Sequence, residues 1–169
     1  TDAGACVIKF SELDDAVDTP LVEHATMTLA AKAGIRVAAT GVLPIPMRHG
    51  KALHALTIER FDRVGDYRLH CLSARTVLRA ARLPESYSAL ATVLLRLGHP
   101  DRQMAQREEL FQRMVFNILM DNTDDHERNH SLSLNLADGY YDLTPAYDVV
   151  PSLQNLGHQS LLVGSLGAA

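Results

Sequence analysis

Along the first third of the chain, short apolar runs alternate with polar breaks. Residues 5–10 (Ala5-Cys6-Val7-Ile8-Lys9-Phe10) are rich in β-formers and predict a strand. Asp18-Thr19-Pro20 predicts a helix start, with Thr19 as N-cap and Pro20 at the first helical position. The helix is expected over residues 21–33, with Leu21, Ala25, Thr28 and Leu29 on one face and Gly34 as the stop. Residues 35–43 predict a second strand, ended by Pro44 and Pro46. Residues 52–61 predict a third, with Glu59-Arg60 at its charged end. Residues 62–66 form a turn, and residues 67–72 a short extended piece.

After Ser73 the period changes from two to nearly four. Ser73 caps a short helix through Ala81, and Ser86 caps another that runs to Gly98. Pro100-Asp101 opens the longest helix, to about Asp121, with an apolar stripe of Met104, Phe111, Met114, Val115, Ile118 and Leu119. Strand signals return at residues 131–136 and 140–143 around the turn Ala137-Asp138-Gly139. Pro145 and Pro151 bracket a loop or short helix. Strands first, then helices, then a hairpin is an α+β order, with a lobe boundary near residues 61–73.

The chain has 169 residues, of which 47% are apolar and 21% charged, so it can bury a core without staples. A net charge of −4 argues against a dedicated nucleic-acid binder. No apolar run is long enough to span a bilayer. Cys6 and Cys71 have neither disulfide-framework nor metal spacing, and are expected as reduced core residues of a cytoplasmic protein. No signal peptide is legible. The chain opens directly into a strand and closes on the apolar run of residues 161–167, so a fragment of a longer protein is expected.

Acids are unevenly placed. Asp121, Asp124, Asp125, Glu127, Asp138, Asp142 and Asp148 fall in one stretch whose only base is Arg128. Solvation or a bound cation must offset that charge. Asp124 and Asn129 have the D-x-x-x-x-N spacing of a protein-kinase catalytic loop, in which the Asp accepts a hydroxyl proton and the Asn holds magnesium. A long helix precedes this loop; a hairpin and then Asp148 follow it. Mg²⁺ on a triphosphate needs only one or two hard-oxygen side chains, and Asn129 and Asp148 supply such a pair. Upstream, Val7-Ile8-Lys9 resembles the strand whose Lys meets the α/β-phosphates. Glu23 is the carboxylate expected to orient Lys9. Taken singly, Lys9 would read as an edge-strand lysine and Glu23 as a helix-dipole acid.

Together these segments resemble the HipA-like serine/threonine kinase family, the toxin half of bacterial toxin–antitoxin pairs. The resemblance runs through Val7-Ile8-Lys9-Phe10, Val22-Glu23-His24, Leu29-Ala30-Ala31-Lys32-Ala33-Gly34-Ile35 and Ile58-Glu59-Arg60-Phe61-Asp62-Arg63. It is strongest in Asn122-Thr123-Asp124-Asp125-His126-Glu127-Arg128-Asn129-His130-Ser131 and Leu143-Thr144-Pro145-Ala146-Tyr147-Asp148. It implies a protein-kinase-like α+β fold. Residues 1–63 would form a partial β-rich small lobe with a hinge near residues 59–63. Residues 64–169 would form a mainly helical lobe with the catalytic and metal-binding loops.

The resemblance implies that Lys9 binds the ATP phosphates and that Glu59 and Phe61 meet adenine through backbone groups. It makes Asp124 the catalytic base and gives Mg²⁺ to Asn129 and Asp148. His126 and Arg128 would brace the loop or contact phosphate. The implied activity is ATP- and Mg²⁺-dependent phosphorylation of a protein Ser or Thr, with an aminoacyl-tRNA synthetase as the first substrate to consider. The implied partner is a HipB-like antitoxin, through which any DNA contact would come. Asp125 departs from the family, which usually has a small residue there; an acid would repel ATP or point to solvent. Family members also carry an N-terminal β-rich segment and a phosphate-covering loop that eight residues before Lys9 cannot hold. The alternative is therefore a truncated or degenerate kinase domain that binds a partner without turnover. A small-molecule kinase on the same scaffold is a third reading.

Other motifs give less. His126 and His130 are at i, i+4, but the segment reads as loop and lacks H-E-x-x-H, which argues against zinc. Ser131 beside His130 has no G-x-S-x-G elbow. Arg75, Arg79 and Arg82 are expected on one helix face, solvated or docking a partner. Ser73 and Thr76 read as a cap and a helix residue.

Overall fold

The computed structural model describes residues 4–12, 15–46, 53–152 and 158–164. β1 (Cys6–Phe10) and β2 (Thr40–Ile45) flank β3 (Leu53–Glu59) in an antiparallel sheet of order β1-β3-β2. Between β1 and β2 runs helix α1 (Thr19–Lys32). A two-stranded ribbon follows, β4 (Arg63–Val64) with β5 (Tyr67–Arg68). Then come β6 (Cys71–Ser73), α2 (Ala74–Ala80), α3 (Tyr87–Leu97) and α4 (Gln103–Leu119). The hairpin β7 (Ser131–Leu134) and β8 (Tyr141–Leu143) pairs with β6 in a sheet of order β6-β7-β8.

Two apolar clusters organise these elements. The first joins α1 to the β1-β3-β2 sheet and the loop after β8, through Met27, Ala30, Ile35, Ala38, Leu56, Ile58, Ala146 and Val149. The second joins α2, α3 and α4 to the β6-β7-β8 sheet, around Leu78, Leu90, Leu94, Leu110, Leu132 and Leu143. A parallel bridge between Val37 and Ala146 ties the segment before β2 to the loop after β8. Ala38 N–H donates to Ala146 C=O at 2.8 Å, and Ala146 N–H to Arg36 C=O at 2.7 Å. Backbone hydrogen bonds thus hold the loop that carries Asp148 against the first sheet.

Local chemistry explains most boundaries. Ser73 and Ser86 cap α2 and α3, accepting from the N–H groups of Thr76 and Ala89. Gly34, at φ +89°, ends α1, and Gly139, at φ +77°, makes the β7–β8 turn. Several expectations shift. The α1 N-cap is Asp18, not Thr19. β2 begins at Thr40 rather than 35, because the backbones of residues 36 and 38 bond instead to Ala146. It runs through Pro44, which an edge strand tolerates because one side of its backbone has no ladder to complete. Arg82 lies past the end of α2 in a left-handed conformation, so it does not share a helix face with Arg75 and Arg79. Cys6 is exposed on edge strand β1 and Cys71 is half-buried, so neither is a core residue. Ala52 and residues 165–167 lie outside the described residues.

The buried helix faces are the largest correction. In α1 the buried residues are Pro20, Glu23, Thr26, Met27 and Ala30, and the expected face of Leu21, Ala25, Thr28 and Leu29 is exposed. In α4 the expected apolar stripe points largely outward, with Phe111 59% and Leu119 77% exposed. The inward face carries Gln106, Leu110, Arg113 and Asn117. Those polar side chains complete the hydrogen bonding of neighbouring segments. Gln106 Oε1 accepts from Leu143 N–H at 2.7 Å, and Arg113 Nη2 donates to Thr144 C=O at 2.6 Å. Asn117 Nδ2 donates to the Tyr87 hydroxyl at 3.2 Å. Buried polar groups need partners, and α4 turns its polar stripe inward to supply them.

Candidate active site

The site is built around Lys9. β1 pairs with β3 so that Lys9 stands opposite Leu56. The Lys9 ammonium reaches α1, donating to Glu23 Oε1 at 2.8 Å and Oε2 at 2.9 Å. It also donates to Asp148 Oδ1 at 2.5 Å. The two carboxylates differ in access: the Glu23 side chain is 3% exposed and that of Asp148 is 43%. Glu23 is therefore the inner anchor and Asp148 the end that faces the cleft. Asp148 has φ +60°, a left-handed conformation that Asp tolerates better than most side chains.

Two carboxylates against one ammonium leave an excess negative charge beside the cleft. Burial alone pulls the Lys9 ammonium down. The hydrogen bonds and charges of Asp148 and Glu23 outweigh it, and the net shift is upward from 10.5. Glu23 is pushed up from 4.5, because burial outweighs its hydrogen bonds to Lys9 and Asp148 adds repulsion.

The D-x-x-x-x-N segment crosses the mouth of the site as irregular chain between α4 and β7. Asp124 is exposed and Asn129 buried. Asn129 Nδ2 donates to Asp124 C=O at 3.2 Å, closing the loop and leaving Oδ1 as the amide's ligating atom. Asn122, Thr123, Asp124, Asn129, Asp148 and Ser152 line a polar cavity of about 430 Å³. Lys9 and Asp148 border an adjoining cavity of about 350 Å³, walled by Val7, Ile58, Phe61, Cys71 and Tyr147. Asp148 belongs to both, so a ligand spanning them passes it. An apolar slot opening onto cations and hard oxygens suits a flat base attached to a phosphate chain. Asn129 Oδ1 and the Asp148 carboxylate have the chemistry for Mg²⁺, whose remaining positions phosphate and water fill. Among the described residues no group of three or more His, Cys, Asp or Glu is arranged to hold a metal, so the His126/His130 zinc motif has no such cluster.

The structure brings Lys9, Glu23, Asp124, Asn129 and Asp148 to one cleft, with Glu59 and Phe61 on its apolar side. The Glu59 N–H already donates to Ala39 C=O at 2.8 Å, so of the Glu59 backbone pair it is not the group open to a ligand. His126 and Arg128 line neither cavity. His126 Nδ1 is buried without a hydrogen-bond partner among the described residues, and Arg128 is exposed.

Asp125 is the clearest departure from expectation. It neither faces a nucleotide nor points to solvent; it is 2% exposed and bonded to Tyr87 and His130. Tyr147 lies in the motif that ends at Asp148, and the sequence alone assigns it no role. Its hydroxyl donates to Arg128 C=O at 2.8 Å and meets Ser131 Oγ at 2.6 Å, and its ring packs on Phe61 at 5.5 Å between centroids. It thereby links the D-x-x-x-x-N segment to the floor of the apolar slot. An aromatic residue directly before a conspicuous Asp was the available signal.

The rim of the slot makes one pH prediction. Hydrogen bonds from Arg60 hold the Asp62 carboxyl below 3.8, against the opposing effect of burial. A depressed carboxyl stabilises the fold above its unfolded value and loses that contribution as pH falls through the folded one. The urea midpoint should therefore stay level from pH 7 to 5 and drop below about pH 4. Arg60→Gln should make the drop shallower; an unchanged acid limb in that variant would remove Asp62 as a contributor.

The comparisons with known proteins follow from this geometry. The profile of the HipA-like C-terminal domain matches residues 1–167. A Haemophilus influenzae (strain Rd) protein carrying the name "Putative kinase" is 27% identical over 141 residues, 76% of this chain and 40% of that protein. HipA of Shewanella oneidensis MR-1, solved with HipB and operator DNA, superposes with a TM-score of 0.69 at 21% identity, over 92% of this chain and 40% of that one. The Helicobacter pylori proinflammatory kinase CtkA superposes at 0.64 and 12% identity, over 88% and 52%. The fold is thus kinase-like, and the chain spans about 40% of the length of the curated relative.

Proposed function

Since the chain belongs to the HipA-like C-terminal domain family, we propose that it carries the nucleotide-binding and catalytic centre of an ATP- and Mg²⁺-dependent protein Ser/Thr kinase. One observation carries this reading: Lys9 Nζ lies between the buried Glu23 and the accessible Asp148, on the border of a slot that adjoins the Asp124–Asn129 loop. The division of labour follows kinase logic. Residues 1–63 act as the small-lobe part and residues 64–169 as the helical part, with the hinge at residues 59–63.

In this reading Val7, Ile58, Phe61 and Tyr147 enclose the base. Phe61 N–H and Glu59 C=O are the backbone groups offered to its edge. Lys9, fixed by Glu23, binds the phosphates. Asn129 and Asp148 hold Mg²⁺, which when bound offsets phosphate charge. Asp124, exposed in the polar cavity, orients the acceptor hydroxyl and receives its proton. His126 and Arg128 act on the loop rather than on the nucleotide.

The HipA relative was solved in complex with HipB and operator DNA, which supports a HipB-like antitoxin as partner, with DNA reached through it. A translation protein such as an aminoacyl-tRNA synthetase is the first acceptor to test. Among the described residues no helix is long and apolar enough to cross a membrane, in keeping with work in the cytoplasm.

The test is calorimetry with Mg·ATP. The wild-type chain should bind with micromolar affinity, and Asp148→Asn should weaken binding at least about tenfold, since it removes a charged ligand of the metal. A folded wild-type chain that binds no Mg·ATP would overturn the reading. Unaltered binding with no phosphate transfer to any protein would instead favour an interaction module.

A further inference from the structure

Asp124 and Asn129 owe their roles to a fixed separation, and the side chains immediately after each of them meet behind the loop. Asp125 and His130 are each 2% exposed. His130 Nε2 donates to Asp125 Oδ1 at 2.9 Å. The second carboxylate oxygen, Oδ2, accepts from the Tyr87 hydroxyl at the start of α3. Both oxygens of a buried carboxylate are therefore occupied by directional donors. The Tyr87 and His130 rings also meet edge to face, with centroids 5.3 Å apart.

The network extends further. The Tyr87 hydroxyl accepts from Asn117 Nδ2 of α4, and Asn117 Oδ1 accepts from Asn122 Nδ2 at 3.0 Å. The main chain is held at the same points: Leu161 N–H donates to Asp125 C=O at 2.9 Å, and Ala74 N–H to His130 C=O at 2.8 Å. On the cleft side, the hydrogen bond that ties Asn129 to Asp124 among the described residues runs from Asn129 Nδ2 to the Asp124 carbonyl at 3.2 Å. The firmer tie lies at the back.

We propose that Asp125 and His130, anchored by Tyr87, form a buried staple that sets the spacing and orientation of Asp124 and Asn129, and so act as positioning residues for phosphoryl transfer. The catalytic half of this proposal rests on the kinase reading; the geometric half does not. An apolar pair could fill the same volume, but it would leave the register of the two loop ends to general packing. A buried carboxylate with both oxygens taken by directional donors admits one arrangement. This also explains why an acid is tolerated beside the cleft: its charge is spent inward.

The single variant His130→Phe strands the Asp125 carboxylate in the core and can fail to fold. The decisive variant is therefore Asp125→Ala with His130→Phe, which removes both hydrogen-bonding partners together. His130→Gln serves as the conservative control, because it keeps a donor. Two readouts are needed. Exchange of the Asn129 side-chain amide protons, followed by NMR, reads loop closure without any turnover. Steady-state kinetics of the kinase read kcat against KM for ATP.

In the double variant the Asn129 amide should lose at least about tenfold in protection. The kcat should fall about 10- to 100-fold, with KM for ATP within about threefold, as misplacement of reacting groups implies. His130→Gln should recover most of both. Unchanged amide protection in a folded double variant would overturn the staple. Unchanged kcat with lost protection would overturn its catalytic role. A wild-type chain that fails to bind Mg·ATP defeats the kinase reading alone, and the amide measurement still decides the staple.

Discussion

Asp124→Asn is expected to lower the rate of phosphate transfer by about 10²- to 10⁴-fold while leaving Mg·ATP affinity within about threefold of wild type. The substitution keeps size and shape and removes the proton acceptor. The loop should survive it, because the tie to Asn129 uses the Asp124 backbone carbonyl rather than its carboxylate. Asp124 is also exposed, so no buried charge network is disturbed. The loss must appear in kcat, with thermal stability unchanged. A kcat within about fivefold of wild type would remove Asp124 as the base, since a positioned acid–base group contributes far more than that. Asp148→Asn is the useful contrast, because it should act on nucleotide binding.

Lys9→Met should abolish measurable transfer and cost roughly 1–3 kcal/mol of stability, the range for losing a charge-assisted hydrogen bond to a buried group. The cost arises on the Glu23 side. Its carboxylate would remain buried with no ammonium and with Asp148 nearby as a like charge. The upper end of the range for buried pairs does not apply, because the Lys9 side chain is about one-third exposed and water screens it.

The pH dependence follows from the same groups. Lys9 is raised above 10.5, so its contribution in the wild type is complete below that value and fades as pH rises through the folded one. Glu23 is raised above 4.5, so its penalty in the variant is present at neutral pH and vanishes below its unfolded value. The stability gap between wild type and Lys9→Met should therefore narrow as pH falls through the raised Glu23 value and lose this contribution below about pH 4.5. Adding Glu23→Gln should recover stability at pH 7 without restoring transfer. Denaturation curves at pH 7 and pH 4 check both points; a gap independent of pH would mean that Glu23 is not its source.

How much of this was legible beforehand depended on range. The helix caps at Ser73 and Ser86, the Asp138-Gly139 turn and the order of strands and helices follow from interactions a few residues long. The candidate site was legible for a different reason. Lys9, Glu23, Asp124, Asn129 and Asp148 stand in the order and spacing of a kinase motif, which residue type and chain order alone reveal. Which face of a helix is buried is not legible in α1 or α4. An apolar stripe is ordinarily the buried one, but α4 faces backbone groups at the end of β8 and just after it that need partners; Gln106 and Arg113 supply them, and Asn117 bonds the buried Tyr87 hydroxyl.

The sequence by itself determined the type and order of the elements, the turn positions and the chemical inventory of the cleft, because each is set by local geometry or residue type. Tertiary structure alone decided the rest. Lys9 meets Asp148 across 139 residues because the loop after β8 is hydrogen-bonded to the segment before β2. Asp125 turns from an apparent surface acid into a buried partner of His130 and Tyr87 because α3 delivers a hydroxyl to it from 38 residues away. Such pairings depend on how separate elements pack, and no local pattern encodes that distance.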